Sequence, residues 1–278
     1  MNGVQSISLN DGQSIPQLGF GVWRLKEAEA PKIVGEALKV GYRHIDTAQG
    51  YENEAGVGQA IKSSGLGRGE VFVTSKLRTS HQGYDSALRS FEETLERLGL
   101  DYLDLFLIHW PAPKHDRYVE TWKAFIEIQK SGKVRSIGVS NFLPEHIDRI
   151  VGETGVSPAV NQIELHPYYQ QRDMRDYHAA KSIVIESYSP LGSGSVLEDE
   201  TIAVIAKAHG RSVAQIIIAW HLQQGLVVLP KTATLERVAQ NFDVLDITLS
   251  PEEIAAIDGL DSPDGKTLTP PEKNNNLF

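Results

Sequence analysis

The chain contains no cysteine, which excludes thiol nucleophiles, disulfides and thiolate metal sites together and fits a reducing compartment. No stretch approaches the roughly 18 apolar residues of a membrane-spanning helix. The opening residues, MNGVQSISLNDGQSIP, lack the basic start and apolar core of a signal peptide. A basic run is missing too: 27 Lys+Arg stand against 36 Asp+Glu, a net charge of −9, which argues against nucleic acid as a partner. The nine histidines show no H-E-x-x-H spacing, so no metal site is expected. Neither G-x-G-x-x-G nor a P-loop occurs, only GVG, GLG and GSG fragments, so a nucleotide site of the Rossmann kind is not expected. These absences predict a cytoplasmic protein without membrane partner or metal. Its 278 residues, 41% hydrophobic and 23% charged, suffice for a large core that needs no covalent staple.

Along the chain, Ser6–Leu9 and Ser14–Leu18 flank Asn10-Asp11-Gly12, a turn sequence that predicts a short hairpin. LGFGV (18–22) then reads as a strand, followed by a helix over 27–39 that ends at Gly41. The pattern repeats: RHIDT with a helix over 53–63, VFVTSKL with 84–98, DLFLIHW with 117–131, VRSIGVS with 144–151, and AVNQIEL with 172–181. IVIESYS leads, after a Gly/Ser loop, to helices over 199–208 and 212–223, and VVLP to one over 234–241. Eight strand-then-helix units of short apolar strands predict a single α/β domain over residues 1–278, a (β/α)8 TIM barrel behind an N-terminal β-hairpin. Ser250-Pro251-Glu252-Glu253 is a capping box that opens a last helix over 251–259. The Pro-, Asn- and Lys-rich tail reads as an irregular C-terminal arm, with Leu268–Phe278 closing one side of a pocket.

Several polar residues fall at the C-terminal ends of these strands: Asp46, Lys76, His109, Ser140, Asn141, Gln162, Glu164, Tyr188 and Lys231. Singly, each is the first solvated residue after a strand; gathered on one barrel rim, they are candidates for chemistry. Tyr51, a few residues past Asp46, is the organising one. A free phenol is a weak acid, with a pKa of about 10. An adjacent Lys76 ammonium stabilises tyrosinate, Asp46 holds that ammonium charged, and the His109 imidazole orients a substrate oxygen beside the phenol. A proton donor with an oxyanion site suits carbonyl reduction, the hydride coming from a cofactor because no side chain supplies one. LPKTATLERVAQN (229–241) joins a strand end, Lys231, a Thr cap and a helix start with Arg237 one turn in, a phosphate site in outline.

These segments resemble the aldo-keto reductase family. GYRHIDTA…E…VG (41–58), RSIGVSNF (135–142) and LPKTATLERVAQN look like its signature regions, with VNQIELHP (160–167) and ESYSPLG (186–192) as further motifs. Within the family the chain is most like the bacterial 2,5-diketo-D-gluconate reductase group. The resemblance implies NADP(H) lying across the barrel rim, Tyr51 as general acid, Lys76 and Asp46 as its supporting pair and His109 beside the carbonyl. It further implies Ser140, Asn141 and Gln162 on the nicotinamide carboxamide and Tyr188 stacked on the ring, with Leu191 close by. Lys231, Thr232 and Arg237 would clamp the adenosine 2′-phosphate, with Gln240 and Asn241 near adenine. Both cations favour NADPH over NADH, since a 2′-phosphate gains charge-assisted contacts. Arg78, where relatives carry Trp, and Gln49 are expected to border the substrate pocket, with Trp23 and Trp110 as walls. A monomer is the family-like default.

Rival readings are a glycosidase with paired carboxylates from Asp46, Glu164 and Glu186, a Schiff-base aldolase on Lys76, and an NADPH-binding sensing or accessory barrel without turnover. The Lys76 partner and the phosphate clamp have no role in a glycosidase. The complete catalytic set argues against a sensor.

Overall fold

A computed structural model describes residues 3–277. The expected hairpin forms from β1 (Ser6–Ser8) and β2 (Ser14–Pro16), paired antiparallel. Eight parallel strands follow: β3 (Phe20–Gly21), β4 (His44–Asp46), β5 (Phe72–Leu77), β6 (Leu103–Ile108), β7 (Val134–Ser140), β8 (Val160–Glu164), β9 (Val184–Tyr188) and β10 (Val227–Val228). The sheet closes on itself through the segment before β3. Val228 N donates to Gln17 O at 2.9 Å, Gly19 N to Val228 O at 3.0 Å and Gly21 N to Pro230 O at 3.1 Å. These bonds join β10 to the β3 side, so the eight-stranded sheet closes among the described residues.

The helices are α1 (Ala30–Val40), α2 (Glu54–Ser63), α3 (Tyr84–Leu98), α4 (Tyr118–Lys130), α5 (Pro144–Thr154), α6 (Arg172–Ala180), α7 (Glu200–His209), α8 (Val213–Gln223), α9 (Leu235–Phe242) and α10 (Pro251–Asp258). Most match the sequence expectation within a residue or two. The largest shifts are of three residues: α5 runs on to Thr154, and α1 starts late, with Pro31 in its first turn; proline is tolerated there and not deeper. The expected capping box is present: Ser250 Oγ accepts from Glu253 N at 3.2 Å and Glu253 Oε2 from Ser250 N at 2.8 Å. No single helix among the described residues is long and apolar enough to cross a membrane.

Strand alternation sorts two cores. Ile45, Val73, Phe106, Ile108 and Val139 face outward and pack with Val34, Phe91, Trp122, Phe125 and Ile147 from the helices. Leu105, Leu107, Val160 and Val227 face inward, where the hairpin residues Leu9 and Ile15 join them as an apolar plug. The next inward positions along the strands are polar: His44 and Asp46, Thr74 and Lys76, Gln162 and Glu186. The barrel is therefore apolar at its hairpin end and polar toward the C-terminal rim.

One helix contact depends on a missing side chain. A Cβ on Gly58 of α2 would stand 1.9 Å from Leu98 O at the end of α3. Gly58→Ala is expected to lower unfolding free energy by about 1–3 kcal/mol through overpacking, read from urea denaturation midpoints; an unchanged midpoint would show that the helices separate freely.

Candidate active site

Asp46 ends β4 and pairs with Thr74 on β5, so that Lys76, two residues further along β5, points to the same side one step nearer the rim. Lys76 Nζ donates to Asp46 Oδ1 at 2.6 Å and to Thr47 O at 2.9 Å, and lies 3.4 Å from Tyr51 Oη. Tyr51 closes a 3₁₀ turn (Gln49–Tyr51) directly after β4, which returns its hydroxyl over Lys76. His109 follows β6, and its ring meets that of Tyr51 edge-on, with centroids 5.7 Å apart. The four residues expected at the rim are thus together. Lys76 is wholly buried, and Asp46 and His109 nearly so.

Burial alone would pull the Lys76 ammonium down, but Asp46 and Tyr51 outweigh it and hold the group above its ordinary range. His109 is driven well below the usual imidazole range by burial and by Lys76, so it is neutral near pH 7. Tyr51 departs from expectation: burial pushes the phenol above its usual value, and the pull of Lys76 does not offset it, while Asp46 and Glu186 push further up. The phenol is accordingly protonated at neutral pH, with an ammonium placed to stabilise the anion it would leave.

Beside these residues Ser140 ends β7 and Asn141 follows it, and Gln162 lies opposite Ser140 on β8. Ser140 Oγ donates to Gln162 O at 2.9 Å; Asn141 Nδ2 donates to His109 O at 3.1 Å, and its Oδ1 accepts from Tyr188 Oη at 2.7 Å. Asn141 takes φ +62°, a left-handed conformation that Asn tolerates better than most residues. One cavity of about 600 Å³ is lined by Trp23, Asp46, Tyr51, His109, Trp110, Ser140, Asn141, Gln162, Tyr188, Leu191, Lys231 and Arg237. At its Lys231 end Arg24 also lines the wall, and burial together with Arg24 draws the Lys231 ammonium below its ordinary range. Thr234 occupies the N-cap position of α9 without a side-chain cap bond, and Thr232 Oγ1 accepts from Thr234 N at 3.1 Å. Thr232 and Asn241 are buried and Gln240 is exposed on the same segment; none of the three lines the cavity.

Two expectations need correction. Gln49 does not border the pocket: its Nε2 donates to Ser90 O at 3.0 Å and Thr94 Oγ1 at 2.8 Å, while Oε1 accepts from Arg78 N at 2.9 Å. Successive side chains in a 3₁₀ turn diverge by about a third of a revolution, so the turn that aims Tyr51 inward sends Gln49 into α3. Arg78 likewise turns away, pairing with Glu52 at 2.9 Å. The carboxylates are also accounted for. Glu164 accepts from Thr267 N at 2.7 Å, from Thr267 Oγ1 and from Leu268 N, anchoring the C-terminal arm. Asp46 is engaged by Lys76, and Glu186 lies beneath Gln162, so no two carboxylates flank an open cleft as a glycosidase requires.

Arm residues Leu268, Thr269 and Asn274 complete the cavity wall, as expected of the tail; Phe278 lies outside the described residues. Arg24 as a wall residue and Glu164 as the anchor of the arm were not singled out for such roles, and the arm was expected only as a segment. Glu164 follows the i, i+2 alternation from Gln162 and could have been traced from it, whereas the arm offers no periodic signal. A second cavity of about 550 Å³, by α6 and the turn before β10, contains none of the rim groups.

The aldo/keto reductase family model matches residues 17–262. The chain belongs to the aldo-keto reductase family. It is an oxidoreductase of that family. It is 50% identical to an aldo-keto reductase of Mycolicibacterium smegmatis, covering 98% of both chains. It is 48% identical to methylglyoxal reductase DkgA of Escherichia coli, covering 95% of each. Among solved structures, a variant of Gox0644 in complex with NADPH is 48% identical and superposes with a TM-score of 0.95 over 98% of this chain and 99% of that one. Membership in the aldo-keto reductases makes the rim of β4–β10 the place to look for reduction chemistry, and the barrel matches theirs.

Proposed function

We propose that this aldo-keto reductase is an NADPH-dependent carbonyl reductase, a single barrel domain acting as a cytoplasmic monomer on aldehydes or ketones such as ketoaldehydes, diketones or sugar-derived ketones. The observation that carries the reading is the buried Lys76–Asp46 ion pair beneath Tyr51, facing the same cavity as His109. Relatives complexed with NADPH or NADP and one named for methylglyoxal reduction support the cofactor and the substrate class.

The residues present fit a phosphorylated dinucleotide. Burial and then Arg24 disfavour the Lys231 charge at one end of the cavity, a cost that a bound phosphate would offset. Arg237 lines the same end, beside a helix start with no side-chain cap. In this reading Lys231, Thr232 and Arg237 hold the 2′-phosphate, Gln240 and Asn241 lie near adenine, Ser140, Asn141 and Gln162 hold the carboxamide, and Tyr188 and Leu191 pack on the nicotinamide. The cofactor, when bound, supplies the hydride for the carbonyl carbon. Tyr51 gives its proton to the carbonyl oxygen, Lys76 stabilises the phenolate, Asp46 keeps Lys76 charged, and neutral His109 orients the oxygen. Trp23 and Trp110 form apolar walls beside them.

The test follows nicotinamide absorbance while purified protein is offered NADPH with aldehydes, ketoses and α-diketones. Turnover with at least one class is expected; tight binding without turnover would favour a sensing barrel, and no binding would overturn the reading. Arg237→Ala should weaken NADPH about tenfold or more while NADH changes little, the loss of one charge-assisted phosphate contact. Equal losses would mean that the clamp lies elsewhere. Light scattering of the same preparation reads the monomer.

A further inference from the structure

One chain of polar contacts passes through the barrel's interior beneath the rim, joining β8 to its neighbour β9 and across to β4. Gln162 Nε2 on β8 donates to Asp46 Oδ2 on β4 at 2.8 Å and to Glu186 Oε2 on β9 at 2.6 Å. Both oxygens are acceptors, so the amide nitrogen must face them, and both of its protons are in use. No donor among the described residues meets Gln162 Oε1, and Gln162 lines the cavity.

Glu186 is wholly buried, and its Oε1 lies 3.3 Å from Nε2 of His44, also wholly buried. The tautomer of His44 decides what passes between them. Its Nδ1 faces Pro16 O at 3.3 Å, and a carbonyl can only accept, so Nδ1 carries the proton. In the neutral ring Nε2 is then a lone pair, 3.1 Å from the Thr74 hydroxyl. An ionised Glu186 would set a second lone pair against it. Glu186 Oε1 makes no hydrogen bond among the described residues; a proton on it removes the opposed charge, and Oε2 stays an acceptor for Gln162.

We propose that Glu186 is a positioning residue: as a neutral acid beside His44 it accepts from Gln162, and together with Asp46 it turns Gln162 Oε1 toward the cavity as the acceptor for the nicotinamide carboxamide. The role rests on the NADPH reading; the protonation state does not. The groups facing Glu186 are His44 and Asp46 from β4, Lys76 from β5, Tyr51 from the turn after β4 and, from β8, the uncharged Gln162; its β10 partner is Val227. Burial, then the Asp46 charge, pushes the Glu186 carboxyl up to about 8, and burial draws His44 down to about 3. Both are therefore neutral across the interval between.

Glu186→Gln keeps a neutral group with a carbonyl for Gln162, whereas Glu186→Ala removes that acceptor. NADPH affinity, read by fluorescence titration at pH 7, should be near wild type for the Gln variant and weaker by about tenfold for Ala, the loss of one well-made hydrogen bond and its alignment. An Ala variant that binds as wild type, or a Gln variant as weak as Ala, overturns the positioning role. The cofactor-free protein carries the second readout. The folded carboxyl binds its proton more tightly than the unfolded one, whose ordinary value is 4.5. The wild-type stability relative to Glu186→Gln should therefore be greatest below about 4.5, fall as pH rises to about 8, and level beyond it. A flat difference curve overturns the neutral acid. If the wild type binds no NADPH, the reductase reading and the carboxamide role fall together, and the pH curve still decides the proton.

Discussion

Tyr51→Phe is expected to lower turnover by about 10²- to 10⁴-fold, the usual worth of a positioned proton donor, with NADPH affinity unchanged. The substitution removes one oxygen, whose recorded partner is Lys76 Nζ at the long distance of 3.4 Å. It leaves the ring against His109 and over Lys76, so folding has little to lose. The effect should fall on kcat in steady-state assays with the best carbonyl substrate. Turnover within a few-fold of wild type would move the proton donor to another group and the assignment would be abandoned.

Lys76→Met should be costly to the fold as well as to turnover. Breaking a buried pair by removing one partner destabilises by about 3–5 kcal/mol, because the remaining charge is stranded. Asp46 would be left nearly buried with Gln162 as its remaining side-chain donor. Adding Asp46→Leu should recover much of that stability, since an apolar pair in a packed site is close to neutral. The recovery separates a structural loss from a catalytic one, because turnover stays lost in the double variant. The single variant should also regain stability on acidification. Burial already raises the Asp46 carboxyl against the pull of Lys76, and without Lys76 the folded pKa moves further above the unfolded one. The neutral form then favours the fold at low pH, and that contribution is lost as pH rises. Urea denaturation at two pH values reads both effects.

Much of this was legible in the residue string because barrel strands are short apolar runs ending in a polar group. RHID, VFVTSK and DLFLIH each stop where the sheet meets the rim, and the run of eight such units predicts closure. What escaped was whatever depends on rotation rather than order. Gln49 and Tyr51 are two residues apart, but a 3₁₀ turn sends one into α3 and the other into the cavity. Arg78 looks like a pocket cation until its partner Glu52 is located in space. The phenol of Tyr51 was expected to be lowered by Lys76; how deeply it would be buried is set by elements far away in sequence. Glu186 was visible as an acidic residue among apolar ones, but its bond to Gln162 and its approach to His44 span the barrel interior, which local periodicity does not report.

One wall of the cavity belongs to no strand or helix. From Thr267 to Asn275 the arm is pinned at its start by Glu164 and near its end by Lys114 N and His115, bonded to Asn275. Between those pins Leu268, Thr269 and Asn274 face the cavity, while Tyr51, Lys76 and Asp46 are held by the sheet and the turn above it. On the proposed reading, recognition and chemistry fall to separable parts of the molecule. Exchange of this short segment is a transplant that could change the guest while the reacting groups stay in register, and variation between the two pins can proceed without disturbing the ion pair beneath the phenol.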